Sequence, residues 1–255
     1  MGILNVTPDS FSDGGRFVEP QLAIAQAKRM IAEGADIIDI GAESSRPYGG
    51  AMRVTAEEEL ARLAPVLPRV TELGVPVSID TMKAKVAAWA LDAGATMVND
   101  VWGLQRDADI APLVAQRDVP LVMMHNRDVA DPSLDIMRDI AAFFARSREL
   151  AGRAGIARDC LVLDPGIGFG KTPEQSLVAI ARFAEFKSFG LPLLIGASRK
   201  RFIDKVSPAP PDRRLGGSIA AHLAAVAAGA AIVRTHDVAE TVQALRVHAA
   251  IGGAR

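Results

Sequence analysis

Short runs of Val, Ile and Leu alternate along the chain with longer alanine-rich runs whose apolar residues recur every three or four positions. The first pattern suits a strand buried on both faces and the second a helix packed on it. Their alternation therefore predicts repeated strand–helix units and a parallel sheet. Strands are expected over 3–6, 36–40, 77–79, 96–99, 121–124, 161–163, 193–195 and 231–233. Helices are expected over 21–33, 56–73, 83–92, 110–116, 134–154, 174–188, 217–228 and 238–250, with apolar faces such as Ile140, Phe143 and Phe144. Several of these helices run into a glycine (Gly34, Gly74, Gly94, Gly190, Gly229), as a left-handed closing residue requires. Eight units without a composition break predict an α/β fold, a single (β/α)8 TIM barrel over 1–255, in preference to an open doubly wound sheet. The prolines of 207–212 mark a stiff surface loop rather than a domain boundary.

Catalytic side chains in such a barrel gather where the strands end. Here the strand ends carry, in order, Asn5; Glu43, Ser45 and Arg46; Asp80; Asn99; His125; Asp164; Ser198, Arg199 and Lys200; and Arg234 and His236. One such residue alone reads as a turn or cap. A polar residue at every predicted strand end predicts a shared site, with Glu43 and His125 the two that fit structural hydrogen bonds better than a role. The stretch LVLDPGIGFGK at 161–171 is the most informative, a buried strand delivering Asp164 to a glycine-lined turn. It fits neither common phosphate loop. A Walker loop ending at Gly170-Lys171-Thr172 needs glycine where Pro165 stands, and a dinucleotide loop from Gly166 and Gly168 needs glycine where Lys171 stands.

The residue types sort into two sets. Asp80, Asn99, Asp164 and Lys200 suit the edge of a flat heterocycle: a carboxylate accepts adjacent N–H donors, an amide reads a mixed pair, and a lysine donates to a carbonyl oxygen. Asn5, Ser45, Arg46, Arg234 and His236 suit an anion, and the loops after the last two strands are where barrels often hold phosphate. Mg2+ keeps most of its waters and needs few protein ligands, so Asn5 with a diphosphate would suffice for it. The segments 7–17 and 44–52 have the length and glycine content of loops that close over a substrate.

Composition narrows the partners. The 255 residues are 49% hydrophobic and 23% charged, with a formal net charge of −1, which argues against nucleic acid and membrane surfaces. Phosphate affinity must then be local. The single cysteine, Cys160, excludes an internal disulfide and reads as a buried thiol, and no Cys/His metal cluster is visible. The opening 1–6 is too short and lacks the basic start of a signal peptide. No apolar run approaches the ~20 residues of a membrane helix, so a cytoplasmic protein is expected.

The motifs MGILNVTPDSFSDGG, GAESSRP, SIDTMK, NDVWG, MHNR, LDPGIGFGK, GASRK, GSIA and RTHDV occur in the order and at the spacing of one family, nearly from end to end. On them the chain resembles the dihydropteroate synthases, pterin-binding (β/α)8 enzymes. The resemblance implies condensation of 6-hydroxymethyl-7,8-dihydropterin diphosphate with p-aminobenzoate, with Mg2+ as cofactor, a homodimeric assembly and competition by sulfonamides. It implies that Asp80, Asn99, Asp164 and Lys200 hold the pterin, that Val101, Met124, Phe169 and Gly196 line its slot, and that Arg234 lies over the ring as well as meeting the anion. Asn5 would hold the metal with the diphosphate, joined by Ser45, Arg46 and His236, while Ser198 and the first two loops would shape the aminobenzoate site. Asp80, Asp164, Lys200, Arg234 and His236 would carry catalysis. Two alternatives share the pterin contacts: a methyltransferase passing a methyl group from a folate to a corrinoid protein, and a non-catalytic pterin-binding protein.

Overall fold

The apolar runs become parallel strands in the computed structural model, which describes residues 1–7, 18–43 and 54–254. Strands β1 (Gly2–Asn5), β2 (Ile38–Gly41), β3 (Val77–Asp80), β4 (Met97–Asp100), β5 (Leu121–Met124) and β6 (Leu161–Asp164) lie side by side in chain order, and β7 (Leu194–Ile195) pairs with β8 (Ile232–Val233). Two seams close the ring: Leu163 pairs with Leu193, and Gly2 pairs with Thr235 just past β8. At the second seam Ile3 N donates to Thr235 O and Thr235 N to Met1 O, each at 3.0 Å. The chain forms the α/β barrel that its periodicity predicts.

Around it run α1 (Val18–Ala32), α2 (Ala56–Leu63), α3 (Leu67–Thr71), α4 (Ala84–Asp92), α5 (Ile110–Arg117), α6 (Ile136–Ala154), α7 (Pro173–Ala181), α8 (Arg201–Val206), α9 (Leu215–Ala227) and α10 (Val238–Gly253). Three differ from expectation. The helix expected over 56–73 divides after Leu63, because Pro65 lacks the N–H that would continue it; Pro68 is tolerated in the first turn of α3. The helix expected over 174–188 ends at Ala181 and continues as a 3-10 turn, Phe183–Phe189. Residues three apart eclipse in that geometry, which lines up Phe183, Phe186 and Phe189. Phe186 and Phe189 meet Phe144 of α6 edge-on at 5.7 and 5.5 Å. Helix α8 is too short, with only Phe202 and Ile203 buried, to announce itself by period. Cys160 is half-exposed rather than buried, and no helix among the described residues is long and apolar enough to cross a membrane.

Strand alternation splits the interior in two. Ile38, Ile40, Val77, Ile79, Val98, Leu121, Met123, Leu163, Ile195 and Val233 pack outward with the helices in one large core. Met97, Val122, Val162 and Leu194, with Met1 and Ile232, form a separate cluster inside the barrel. Side chains two apart on a strand share a face. The inward positions one step further along are therefore Asn99, Met124, Asp164, Gly196 and Arg234, and the apolar plug becomes a polar floor within a single repeat.

The loops after β5 and β6 are packed backbone to backbone. Gly166 has φ 64°, and a Cβ there would lie 1.9 Å from His125 O. A Cβ at Gly170 would lie 2.4 Å from Arg127 Cβ. Gly74, with φ 83°, has nothing within 4 Å and supplies the control. Gly74→Ala is expected to cost only the left-handed strain, about 1–2 kcal/mol. Gly166→Ala adds the collision and should cost about 3–5 kcal/mol. Urea denaturation compares them, and equal losses would mean that the two loops are not in contact.

Candidate active site

Asp80, Asn99, Val101, Met124, Asp164, Phe169, Gly196, Lys200 and Arg234 line one cleft at the C-terminal end of the barrel. Register accounts for the convergence: Asp80 stands opposite Asn99 in the β3–β4 ladder and Met124 opposite Asp164 in the β5–β6 ladder. Val101, Met124 and Phe169 form an apolar wall with Met82 and Trp102. Across it, Lys200 Nζ lies 3.8 Å from the centroid of the Phe169 ring. Asp164 Oδ1 accepts the Gly166 N–H at 2.7 Å, which ties the carboxylate to the turn that follows it.

The electrostatic centre is Arg234. Its Nε donates to Asp39 Oδ2 at 2.6 Å and its Nη2 to Asp80 Oδ2 at 2.7 Å. Asn99 Nδ2 donates to the same Asp39 oxygen at 3.1 Å. Asp39 is wholly buried, and its Oδ1 has no hydrogen-bond partner among the described residues. Burial opposes the charge on Arg234, but Asp39 and Asp80 outweigh it and hold the guanidinium firmly protonated. The centre thus gathers three carboxylates, Asp39, Asp80 and Asp164, with the cations Arg234 and Lys200 among them and Lys171 behind Asp164. Burial, opposed by Arg234 and reinforced by Asp39, pushes the Asp80 carboxyl up to about 7. Burial also raises that of Asp164 against the Gly166 hydrogen bond. Carboxylates whose ionisation burial opposes favour a ligand that brings N–H donors or a developing cation.

Beside this slot, His236 Nδ1 lies 2.9 Å from Ser198 Oγ, and the His236 backbone N–H donates to the same oxygen at 3.2 Å. With that N–H already donating to Oγ, the serine hydrogen is best placed on Nδ1 and the ring's own hydrogen on Nε2. Burial and then the charges of Arg234, Arg199 and Lys200 lower the imidazole to about 3. His236 is therefore a neutral donor before an anion arrives, not the standing cation of an anion end. Arg199, at the left-handed φ of 58°, spends its guanidinium on Asp237. Arg234 likewise meets the carboxylates of Asp39 and Asp80. Asn5 ends β1 half-buried, with its side-chain amide unbonded to any described residue.

Ser45, Arg46 and nearly all of the two long loops lie outside the described residues. The ends of the second loop are fixed: Glu43 accepts the Val54 N–H at 3.3 Å and pairs with Lys83, whose Nζ also donates to the buried Glu59 at 2.7 Å. His125 has hydrogen bonds to Lys171 and Asp139, the structural part expected of it. Asp39 was not among the expected site residues, because it lies within a strand rather than at its tip. The sequence did carry a signal for it: an acid at an inward position of the apolar run IIDIG needs a buried partner.

Comparison with known proteins gives the family. The family described as pterin binding enzyme matches residues 1–236. The dihydropteroate synthase of Bacillus subtilis (strain 168) is 46% identical over 239 residues, covering 93% of this chain and 83% of the relative. The Xanthomonas albilineans dihydropteroate synthase with 4-aminobenzoic acid superposes with a TM-score of 0.95 at 42% identity, covering 100% of this chain and 93% of the other. The same enzyme in complex with 7,8-dihydropteroate gives a TM-score of 0.91 at 40% identity, with coverage of 100% and 94%. A Yersinia pestis dihydropteroate synthase in complex with a sulfonamide drug gives 0.92 at 41% identity, again covering 100% and 94%. By sequence and by fold, the chain belongs to the pterin-binding enzyme family, as one of its dihydropteroate synthases.

Proposed function

We infer that the chain joins 6-hydroxymethyl-7,8-dihydropterin diphosphate to p-aminobenzoate, yielding 7,8-dihydropteroate and diphosphate, through the residues of this one cleft. The observation that carries the reading is an acid-rich slot, Asp80, Asn99 and Asp164, whose rim continues into Lys200, Ser198 and His236. Asp164 and Asp80 accept the ring's N–H groups, and Lys200 donates to its carbonyl. Asn99, with one N–H already given to Asp39, offers its oxygen and its second N–H. Val101, Met124 and Phe169 cover the ring faces. At Gly196 a Cβ would come within 3.8 Å of Asp164 Oδ2, so the absence of one keeps the slot open beside the acid.

The reaction breaks the bond between the pterin methylene and its diphosphate oxygen, and the electron pair leaves with the diphosphate. The aryl amine's lone pair then takes the methylene carbon, and the amine gives its proton to solvent. An aryl amine is neutral at neutral pH, so no general base is needed to free that pair. Departure before attack places positive charge on the methylene, where Asp80 and Asp164 favour it, and negative charge at the rim, where Arg234, Lys200 and the His236 N–H favour it. Among the described residues no three His, Cys, Asp or Glu side chains cluster as a metal cage. The unbonded amide of Asn5 fits the single protein ligand that Mg2+ needs when a diphosphate supplies others. Bound there with Asn5, Mg2+ would offset charge on the departing diphosphate. The reading includes Ser45 and Arg46 at the anion, Ser198 at the aminobenzoate and a cytoplasmic homodimer. Exposed Leu177 and Val178 of α7 and Val206 of α8 offer apolar surface for a second copy.

Mixing the protein with the pterin diphosphate, Mg2+ and p-aminobenzoate tests the reading. Pterin–aryl product and free diphosphate are expected without corrinoid, and sulfonamide should compete with the aminobenzoate. Tight pterin binding with no turnover would contradict the assignment. Asp164→Asn and Lys200→Ala each remove a charged hydrogen bond and should weaken pterin binding about 10- to 100-fold by calorimetry. Unchanged affinity in both would place the pterin elsewhere. Proton NMR of the imidazoles gives a further check: inorganic diphosphate with Mg2+ should raise the His236 pKa from its depressed value, since an anion favours the imidazolium. An unmoved resonance would remove His236 from the anion's surroundings.

A further inference from the structure

Lys171 is 1% exposed, yet it lies in the turn that carries Phe169 and fixes Asp164. Its Nζ reaches Gly166 O at 2.9 Å, Phe169 O at 3.1 Å and His125 Nδ1 at 2.6 Å. An ammonium has three hydrogens, and each of these three atoms can accept one. For Nδ1 to accept, the ring must carry its hydrogen on Nε2, which lies 3.0 Å from Asp139 Oδ2. Asp139 in turn accepts Arg127 Nη1 at 3.0 and 3.1 Å. The chain of donors therefore runs one way, from the Lys171 ammonium through a neutral imidazole to the Asp139 carboxylate. His125 is held neutral by burial and by Lys171, which lower it to about 4.

The consequence lies in the turn. Gly166 and Gly170 press it onto 125–127 from outside, and Lys171 holds two of its carbonyls from within. The same turn presents the Gly166 N–H that orients Asp164 and the Phe169 ring that faces Lys200. We propose that Lys171, hydrogen-bonded to His125 with Asp139 behind it, is a positioning residue that sets the pterin-reading geometry of Asp164 and Phe169 without touching the pterin. This rests on the cleft being the pterin site. A neutral amine has two hydrogens and a lone pair, so deprotonation leaves one of the three acceptors facing a lone pair, and the turn loosens. Burial brings that deprotonation down to about 7; Asp164 and Asp139 oppose the shift, while Lys200 and Arg127 reinforce it. The sign follows: affinity is full below that pH and falls above it.

The test is calorimetric binding of 6-hydroxymethylpterin from roughly pH 6 to 9 to the unaltered protein, Lys171→Met and Asp139→Asn. Titration of the ligand is common to all three proteins and cancels in the ratio of affinities; loss of the Lys171 charge also raises Asp164, so Asp139→Asn, which keeps the lysine, separates the turn from that charge effect. The unaltered protein should bind about tenfold more tightly than Lys171→Met at the acidic end, and the ratio should approach one at the alkaline end. Asp139→Asn, which keeps the lysine and loses the supporting carboxylate, should move the fall to lower pH. A flat ratio near one, or the same pH profile in Asp139→Asn as in the unaltered protein, would overturn the proposal. The second outcome decides even if Lys171→Met fails to fold. Failure of the unaltered protein to bind pterin at any pH would instead overturn the cleft reading, and this proposal with it.

Discussion

A guanidinium held between two buried carboxylates is the interaction on which the rest of this structure depends. Arg234 reaches from the end of β8, across β1, to Asp39 on β2 and Asp80 on β3, and so ties the closing strand to the opposite side of the ring. Removing one partner of such a pair strands the other charge in the interior, at a cost of about 3–5 kcal/mol. Ion pairs of this kind are weak contributors to net stability beside apolar packing of the same volume. Their value here is chemical: Asp39 and Asp80 meet Arg234 while Asp164 stands across the mouth, so the barrel presents buried carboxylates to whatever enters it. Those carboxylates recognise a donor-rich ring and favour positive charge next to it.

The polar centre is tolerable because the strands separate it from everything that stabilises the fold. Outward side chains form a continuous core with the helices, and the inward apolar cluster of Met97, Val122, Val162 and Leu194 plugs the bottom. Polar groups begin one inward step above that plug. The same period places Asn99, Met124, Asp164, Gly196 and Arg234 at one level, although 135 positions separate the first from the last (234 − 99). Packed elements on both sides leave these side chains little freedom to move, which is what recognition of a flat ring demands.

Much of this was legible in the sequence, and for physical reasons. Buried parallel strands must be apolar throughout, so their tips are where polarity becomes visible, and Asp80, Asn99, Asp164 and Lys200 stand out there. What escaped were interactions between residues that each look ordinary. Asp39 hides inside a strand, and only its parity betrays it. Lys171 looks like a phosphate-loop lysine until the turn folds it back onto its own carbonyls. Arg199 and Arg234 read as free cations because nothing in a linear chain tells that Asp237, Asp39 and Asp80 will reach them. Helix division at Pro65 is legible in the sequence, although the apolar period resumes beyond it and masks the break.

Function follows from one coincidence of geometry, a donor-accepting slot and an anion-meeting rim sharing a single mouth. The most direct test is a crystal structure of the protein with 7,8-dihydropteroate. The account predicts the pterin ring between Phe169 and Arg234, its N–H edge on Asp164 and Asp80, its carbonyl on Lys200 and its aryl arm leaving past Ser198. A ring bound outside this mouth, or inverted so that its carbonyl faces Asp164, would contradict it.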